Sequence, residues 1–257
     1  MINAVTVGEL ADFLDNLLNI KAFSADVSNN GLQVEGSAKV KKVALAVDAS
    51  MATFEAAKAD DCDFILVHHG LSWGSEPRRF AGDVGRRLQY LFKNNLNLYA
   101  VHLPLDANPT FGHNVFLADL LKLEEREMFF NYDQVDIGVI GNLRHPLSTD
   151  EIAALFHAAV TPEVKLFGSN NTQCRRVGCI SGGAGLSGLL ATIKAGADCL
   201  ITGEFDHTMY HVALENNVSV VALGHYASEC SGVQAVGEII EQSFRLPVTF
   251  LDIPTNL

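Results

Sequence analysis

FILVHHG, residues 64–70, decides the fold. Phe64 to Val67 read as a buried strand, and the two histidines and glycine that follow put polar chemistry where that strand ends. VALAV at 43–47 and LYAVHL at 98–103 are runs of the same kind, and helical patterns near 50–59 and 83–94 separate the three. Apolar strands alternating with helices are the signature of an α/β protein whose sheet carries helices on its faces. Three such units make half of a doubly wound domain. In open sheets of this type ligands bind beyond the carboxyl ends of the strands, so His68 and His69 point toward a candidate site.

The same grammar extends in both directions. Upstream, Thr6 and Glu9 form a capping-box pattern before a helix that shows Val7, Leu10, Phe13, Leu14, Leu17 and Leu18 on one face. Downstream, the polar stretch Glu124–Asp133 reads as a boundary. After it come VDIGVIGNL, a helix from Thr149 to about Ala159, VKLFG, RRVGCIS, CLITG and VSVVALG, then a helix from His225 to Phe244 and the strand PVTFLDI. Because His225 and Glu229 belong with residues of the first half, the chain is expected to return to its first domain near the C-terminus. The expected division is 1–125 with 220–257 as a metal-binding α/β domain, and 126–219 as a second α/β domain inserted into it.

Composition excludes several classes. With 257 residues, 48% of them hydrophobic, the chain can bury a substantial core. A formal net charge of -12 argues against the broad phosphate-binding footprint of a DNA-binding protein, so nucleic acid is not expected as the principal partner. No run approaches the ~18 apolar residues of a membrane span, and MINAVTVGELADFLDNLLNI lacks the basic-then-apolar order of a secretion signal. The expectation is a cytoplasmic protein with no membrane partner. Five cysteines, Cys62, Cys174, Cys179, Cys199 and Cys230, include no CxxC pair and read as reduced core residues, with Cys230 singled out because it follows Glu229.

Five metal-competent side chains fall in three places. His68 and His69 end one strand; in a regular strand neighbours point to opposite sides, so each could serve a different ion. Asp106 follows the strand VHLPLD, in which His102 is a candidate for orienting a ligand or carrying a proton. His225 and Glu229 stand four apart at a helix start, on one face. Taken singly, each has an ordinary alternative: polar strand ends, a hydrogen-bonded core histidine, a turn aspartate, a surface helix pair. Their convergence on strand ends and a strand-to-helix junction favours a two-metal site, and imidazoles with carboxylates suit zinc, iron, manganese or cobalt.

SNNGLQVEG (28–36), LVHHGLSWG (66–74), VHLPLDANPTFGHN (101–114), ITGEF (201–205) and GHYASE (224–229) resemble, in order, the signature blocks of the type 2 GTP cyclohydrolase I family, the Nif-three-like group. The resemblance covers nearly the whole chain. It implies two α/β/α sandwich-like domains and a toroidal homohexamer. It also implies two divalent metal ions per chain, held by His68, His69, Asp106, His225 and a bridging Glu229. Many bacterial relatives carry a further domain in the middle, which this chain is too short to hold.

The expected activity is that of a dinuclear metal-dependent hydrolase, with Glu229 and His102 as the catalytic residues. A metal-bound hydroxide would attack an anionic small-molecule substrate, a nucleotide or related phosphorylated compound, with GTP the named candidate; addition at C8 of guanine would open the ring and release formate. The alternative is a non-catalytic, metal-binding or metal-handling toroidal scaffold. Arg78, Arg79, Arg86 and Arg87 read as a solvated helix face rather than phosphate ligands. SGGAGLSG at 181–188 matches neither a Walker A motif nor GxGxxG and reads as a tight strand-to-helix turn. Glu204, His207 and His211 are candidates for acid-base groups or for plain helix-surface polarity.

Overall fold

The structure, a computed structural model, describes residues 4–132, 134–170 and 173–257. Its elements run β1 (Val5–Thr6), α1 (Val7–Leu17), β2 (Gly31–Val34), β3 (Lys39–Val40), β4 (Val43–Asp48), α2 (Met51–Ala59), β5 (Phe64–His69), α3 (Gly82–Lys93), β6 (Asn97–Ala100) and α4 (Leu103–Asp106). There follow α5 (His113–Leu120), β7 (Glu124–Tyr132), β8 (Val135–Leu147), α6 (Thr149–Ala159), β9 (Lys165–Gly168), β10 (Cys174–Ile180), α7 (Gly185–Lys194), β11 (Cys199–Thr202), α8 (Tyr210–Glu215) and β12 (Ser219–Ala222). The last three are α9 (His225–Ser228), α10 (Cys230–Phe244) and β13 (Val248–Phe250).

The chain divides into two compact units, the first of Met1–Leu105 with Gly232–Ile253 and the second of Asp106–Ser231 with Pro254–Leu257. In the first, five strands take the order β13-β4-β5-β6-β2, parallel except for β2, and β1 pairs with β3 in a separate ribbon. Strand side chains alternate between faces. Ala44, Ala46, Ile65, Val67, Leu98 and Ala100 therefore pack with Phe54 and Ala57 of α2 and Leu91 of α3 on one side. On the opposite side Tyr99 bonds Asp15 of α1, and α10 approaches so closely at Gly237 that a Cβ there would strike Leu45. The expected capping box starts α1: the Thr6 hydroxyl accepts from Glu9 N, and Glu9 Oε2 accepts from Thr6 N.

The second unit is a six-stranded mixed sheet, β7-β8-β10-β11-β12-β9, with β10, β11 and β12 parallel. Its two faces also separate by alternation. Val139, Val177, Cys179, Cys199, Ile201 and Val221 pack with Ile152 and Phe156 of α6 and Val115 and Leu117 of α5. Ile140, Ile180, Leu200 and Val220 pack with Leu189 of α7 and Ala213 of α8. Both sheets are thus covered by helices on two sides, the α/β class the sequence predicts.

The polar stretch expected to mark a boundary is instead strand β7, paired antiparallel with β8; Asp133, the last residue of that stretch, lies outside the described residues. β7 is an edge strand with most of its side chains exposed, so its polarity reflects solvent rather than a linker. The division accordingly falls at Leu105/Asp106 and at Ser231/Gly232, not near 125 and 220. β12, expected in the returning domain, pairs with β11 and β9 in the second sheet.

Two smaller expectations are also corrected. β6 ends at Ala100, so His102 lies beyond the strand and Asp106 closes a one-turn helix. The expected single helix from His225 to Phe244 is two, α9 and α10, with Glu229 between them at φ -115 and ψ 11. Among the described residues, no helix is long and apolar enough to cross a membrane. All five cysteines are reduced thiols, and burial, assisted by Asp60, pushes that of Cys62 up to about 12.

Candidate metal centre

In the first unit, β5 delivers His68 and His69 between β4 and β6, and the two rings are held from opposite neighbours. His68 is fully buried, with Nδ1 2.8 Å from the carbonyl oxygen of Val101, just past β6. The His69 Nδ1 lies 2.9 Å from Oδ1 of Asp48, the last residue of β4. His102 has its Nδ1 2.9 Å from Oδ1 of Asp26. The three rings are neighbours, with centroids 4.6 Å apart for His68 and His69, 5.1 Å for His68 and His102, and 5.8 Å for His69 and His102. Each offers one ring nitrogen within 4.8 Å of the others, close enough to hold a metal ion.

The acceptors fix the proton on each ring. A backbone carbonyl accepts and cannot donate, and an ionised carboxylate is likewise acceptor-only, so all three Nδ1 atoms carry hydrogen. In the neutral form of such a ring, Nε2 is the acceptor atom. For Asp26, burial works toward a raised value, but the hydrogen bonds from His102, Asn30 and Ser28 help to outweigh it and leave the carboxyl below its ordinary range.

In the second unit, Asp106 is buried where α4 ends, and its Oδ1 accepts from the Ser181 hydroxyl at 3.1 Å. Asn114 of α5 stands behind both, donating to the Asp106 and Ile137 carbonyls and accepting from Ser181 N at 2.6 Å. His113, fully buried, offers a ring nitrogen within 4.8 Å of an Asp106 oxygen. Beyond β11 and β12 of the same sheet, His225 Nδ1 lies 2.6 Å from Glu204 Oε1 and its Nε2 3.2 Å from Oε2 of the buried Glu229. The Glu229 bond, set against burial and assisted by Glu204, raises the His225 imidazole to about 9.

The SGGAGLSG turn ties this end together. Gly182 N donates to the Ser228 hydroxyl, while its carbonyl accepts from Gly203 N and Glu204 N. Gly182 has φ +61, and a Cβ on it would collide with Glu229 Oε1. The glycine is therefore required twice, by its backbone and by the carboxylate beside it.

Of the acid-base candidates in the sequence, Glu204 joins His225, whereas His207 and His211 are exposed. Arg78 pairs with Glu76 and Arg86 with Asp83, in keeping with a solvated surface. The Cys230 thiol donates to the Tyr226 carbonyl. Asp26, Asp48, Asn30 and His113 are additions that sequence reasoning misses. Asp48 carries a usable signal, since it ends an apolar strand as His68 and His69 do; Asp26 and Asn30 sit in a polar loop that offers none.

The donor chemistry suits divalent ions: imidazoles anchored at Nδ1 and buried carboxylates are what borderline metals take. The fold and these residues define an α/β protein with candidate metal-binding clusters. A family model described as Duf34/NIF3 (NGG1p interacting factor 3) matches residues 5–256, and the chain belongs to this family. A relative from Archaeoglobus fulgidus named GTP cyclohydrolase 1 type 2 homolog is 45% identical over 254 residues, covering 98% of this chain and 100% of its own. A Pyrococcus horikoshii relative of the same name is 43% identical over 250 residues, covering 97% and 98%. The solved structure of a Thermus thermophilus protein matches with a TM-score of 0.88 at 38% identity, over 98% of this chain and 100% of that one.

Proposed function

We propose that this protein is a dinuclear metal-dependent hydrolase of the type 2 GTP cyclohydrolase I kind, with His68, His69, Asp106, His225 and Glu229 as ligands of two divalent ions. The observation that carries the reading is the anchoring of the imidazoles: His68, His69 and His225 each have Nδ1 held at an oxygen acceptor, which fixes the ring and makes Nε2 the atom that would turn to a cation. Five side chains spread over two ions also leave coordination positions open, as a catalytic site needs and a closed structural site does not.

When bound, the ions would supply Lewis-acid polarisation and a water acidified toward neutral pH. Asp106 and Glu229 return two negative charges against four positive ones, so the centre stays cationic in an acidic protein and draws an anionic substrate. His102, with Nδ1 committed to Asp26, can take or return a proton at Nε2. GTP is the substrate suggested by the names of the relatives, and a homohexamer is the expected assembly.

The test is formate release and pterin-product fluorescence from GTP, using protein reconstituted anaerobically with manganese, iron, cobalt or zinc beside a Glu229→Gln control. Turnover in the wild type that is lost in the control supports the reading. Equal signals, or none with any of the four metals, overturn it and put the metal-handling scaffold in its place.

A further inference from the structure

The loop from Asp26 to Asn30 grips His102 at two points. The Asp26 carboxylate has no exposed surface, and both of its oxygens are used twice. Oδ1 accepts from Ser28 N at 2.9 Å and from His102 Nδ1 at 2.9 Å, while Oδ2 accepts from Asn30 Nδ2 at 2.8 Å and Leu103 N at 3.0 Å. A carboxylate has about four acceptor positions, so this one is saturated as an anion. Its partners besides His102 are amide N–H groups that can only donate. Asn30 completes the grip, its Oδ1 accepting from His102 N at 2.7 Å and its Nδ2 also donating to the Ser28 carbonyl. One loop thus holds both the backbone and the ring of His102. Trp73 meets that ring at 5.1 Å and 75°, and is itself fixed by a 2.9 Å bond from Nε1 to the Gly70 carbonyl.

A neutral amide at position 26 could not reproduce this arrangement. It offers one acceptor atom where four donors converge on two, and its NH2 group would face either the His102 ring or the Leu103 amide. Facing the ring, it would donate to Nδ1 and move the imidazole hydrogen to Nε2. The carboxylate at Asp26 therefore admits only a ring with hydrogen on Nδ1, a restriction an amide does not impose.

We propose that Asp26, supported by Asn30, is a positioning residue that locks His102 in the Nδ1–H tautomer, so that Nε2 faces the substrate as the acceptor of its hydrogen bond or proton. This rests on the hydrolase reading above, and it assigns a role to the 26–30 loop that the ligand set leaves unexplained. Loss of the lock would cost turnover while sparing the ions, because the Asp26 carboxylate bonds Ser28, Asn30, His102 and Leu103 and none of the five proposed ligands.

The experiment is long-range nitrogen-15 NMR of the histidine rings in metal-free full-length protein, with the His102 signals identified by their absence in His102→Gln. The wild type is expected to show a protonated Nδ1 and a bare Nε2, and Asp26→Asn a transfer of the hydrogen toward Nε2. A wild-type His102 in the Nε2–H form overturns the proposal, and needs no variant to fold. An Asp26→Asn protein with an unchanged His102 tautomer overturns it as well. In parallel, metal content and steady-state rates are compared: Asp26→Asn should keep its bound metal and lose kcat by ~10²-fold or more, with KM little changed. Metal loss equal to the rate loss would overturn the positioning role. A wild type with the predicted tautomer and no turnover would instead count against the hydrolase reading, leaving the lock established.

Discussion

His225 binds its proton tightly at the residue the proposed reading gives to a metal ion. Its Nδ1 faces Glu204 and its Nε2 faces Glu229, and together the carboxylates raise it from 6.5 to about 9 against the effect of burial. In the metal-free protein this raised value stabilises the fold fully below about 6.5, and the contribution is lost as pH rises through about 9. Metal binding has the opposite dependence, since an ion at Nε2 must displace that proton. Apparent affinity should therefore rise about tenfold per pH unit between 7 and 9 and then level off. Competition titrations with a fluorescent zinc chelator at pH 7, 8 and 9 measure the slope. A flat profile would show that His225 binds no ion, and Glu204→Gln should lower the plateau pH by removing part of the charge that holds the proton.

At the scale of elements, the turn after β10 carries the clearest mutational consequence. Gly182 combines a left-handed backbone with contact against Glu229, so Gly182→Ala should cost about 1–2 kcal/mol from the backbone alone and more from moving the carboxylate. The expected result is a lower unfolding midpoint together with weaker metal binding. Gly185→Ala, also at positive φ but with nothing within 4 Å of its Cβ, should lose stability alone. Equal metal affinity in the two variants would contradict a role for the turn in placing Glu229. The sequence marks this segment as a tight turn, but not its contact with a distant glutamate, because periodicity and turn chemistry describe local backbone and say nothing of tertiary neighbours. The same limit explains the rest. VALAV, FILV and the capping box at Thr6 are legible since burial and capping are local, whereas β7 reads as a boundary because an edge strand carries polar residues for the same reason a linker does. His102, expected inside β6, is held beyond its end by Asn30 and Asp26, two distant side chains no pattern announces.

At the scale of the whole molecule, the proposed ions are ligands of the folded state, and linkage makes them measurable without any substrate. An unfolded chain retains its histidines and carboxylates but not their arrangement, so free ion at about one hundred times its dissociation constant should add about 2.7 kcal/mol for each site. For a chain of this length that corresponds to a rise in Tm of ~5–10 °C. Calorimetry of protein treated with chelator and then reconstituted measures it. Zinc, cobalt or manganese should give the rise and calcium should not, because a donor set rich in imidazole favours borderline ions over hard ones. Glu229→Gln should reduce the shift if that carboxylate serves both ions. An equal shift in wild type and variant would show that the stabilising ion does not depend on Glu229.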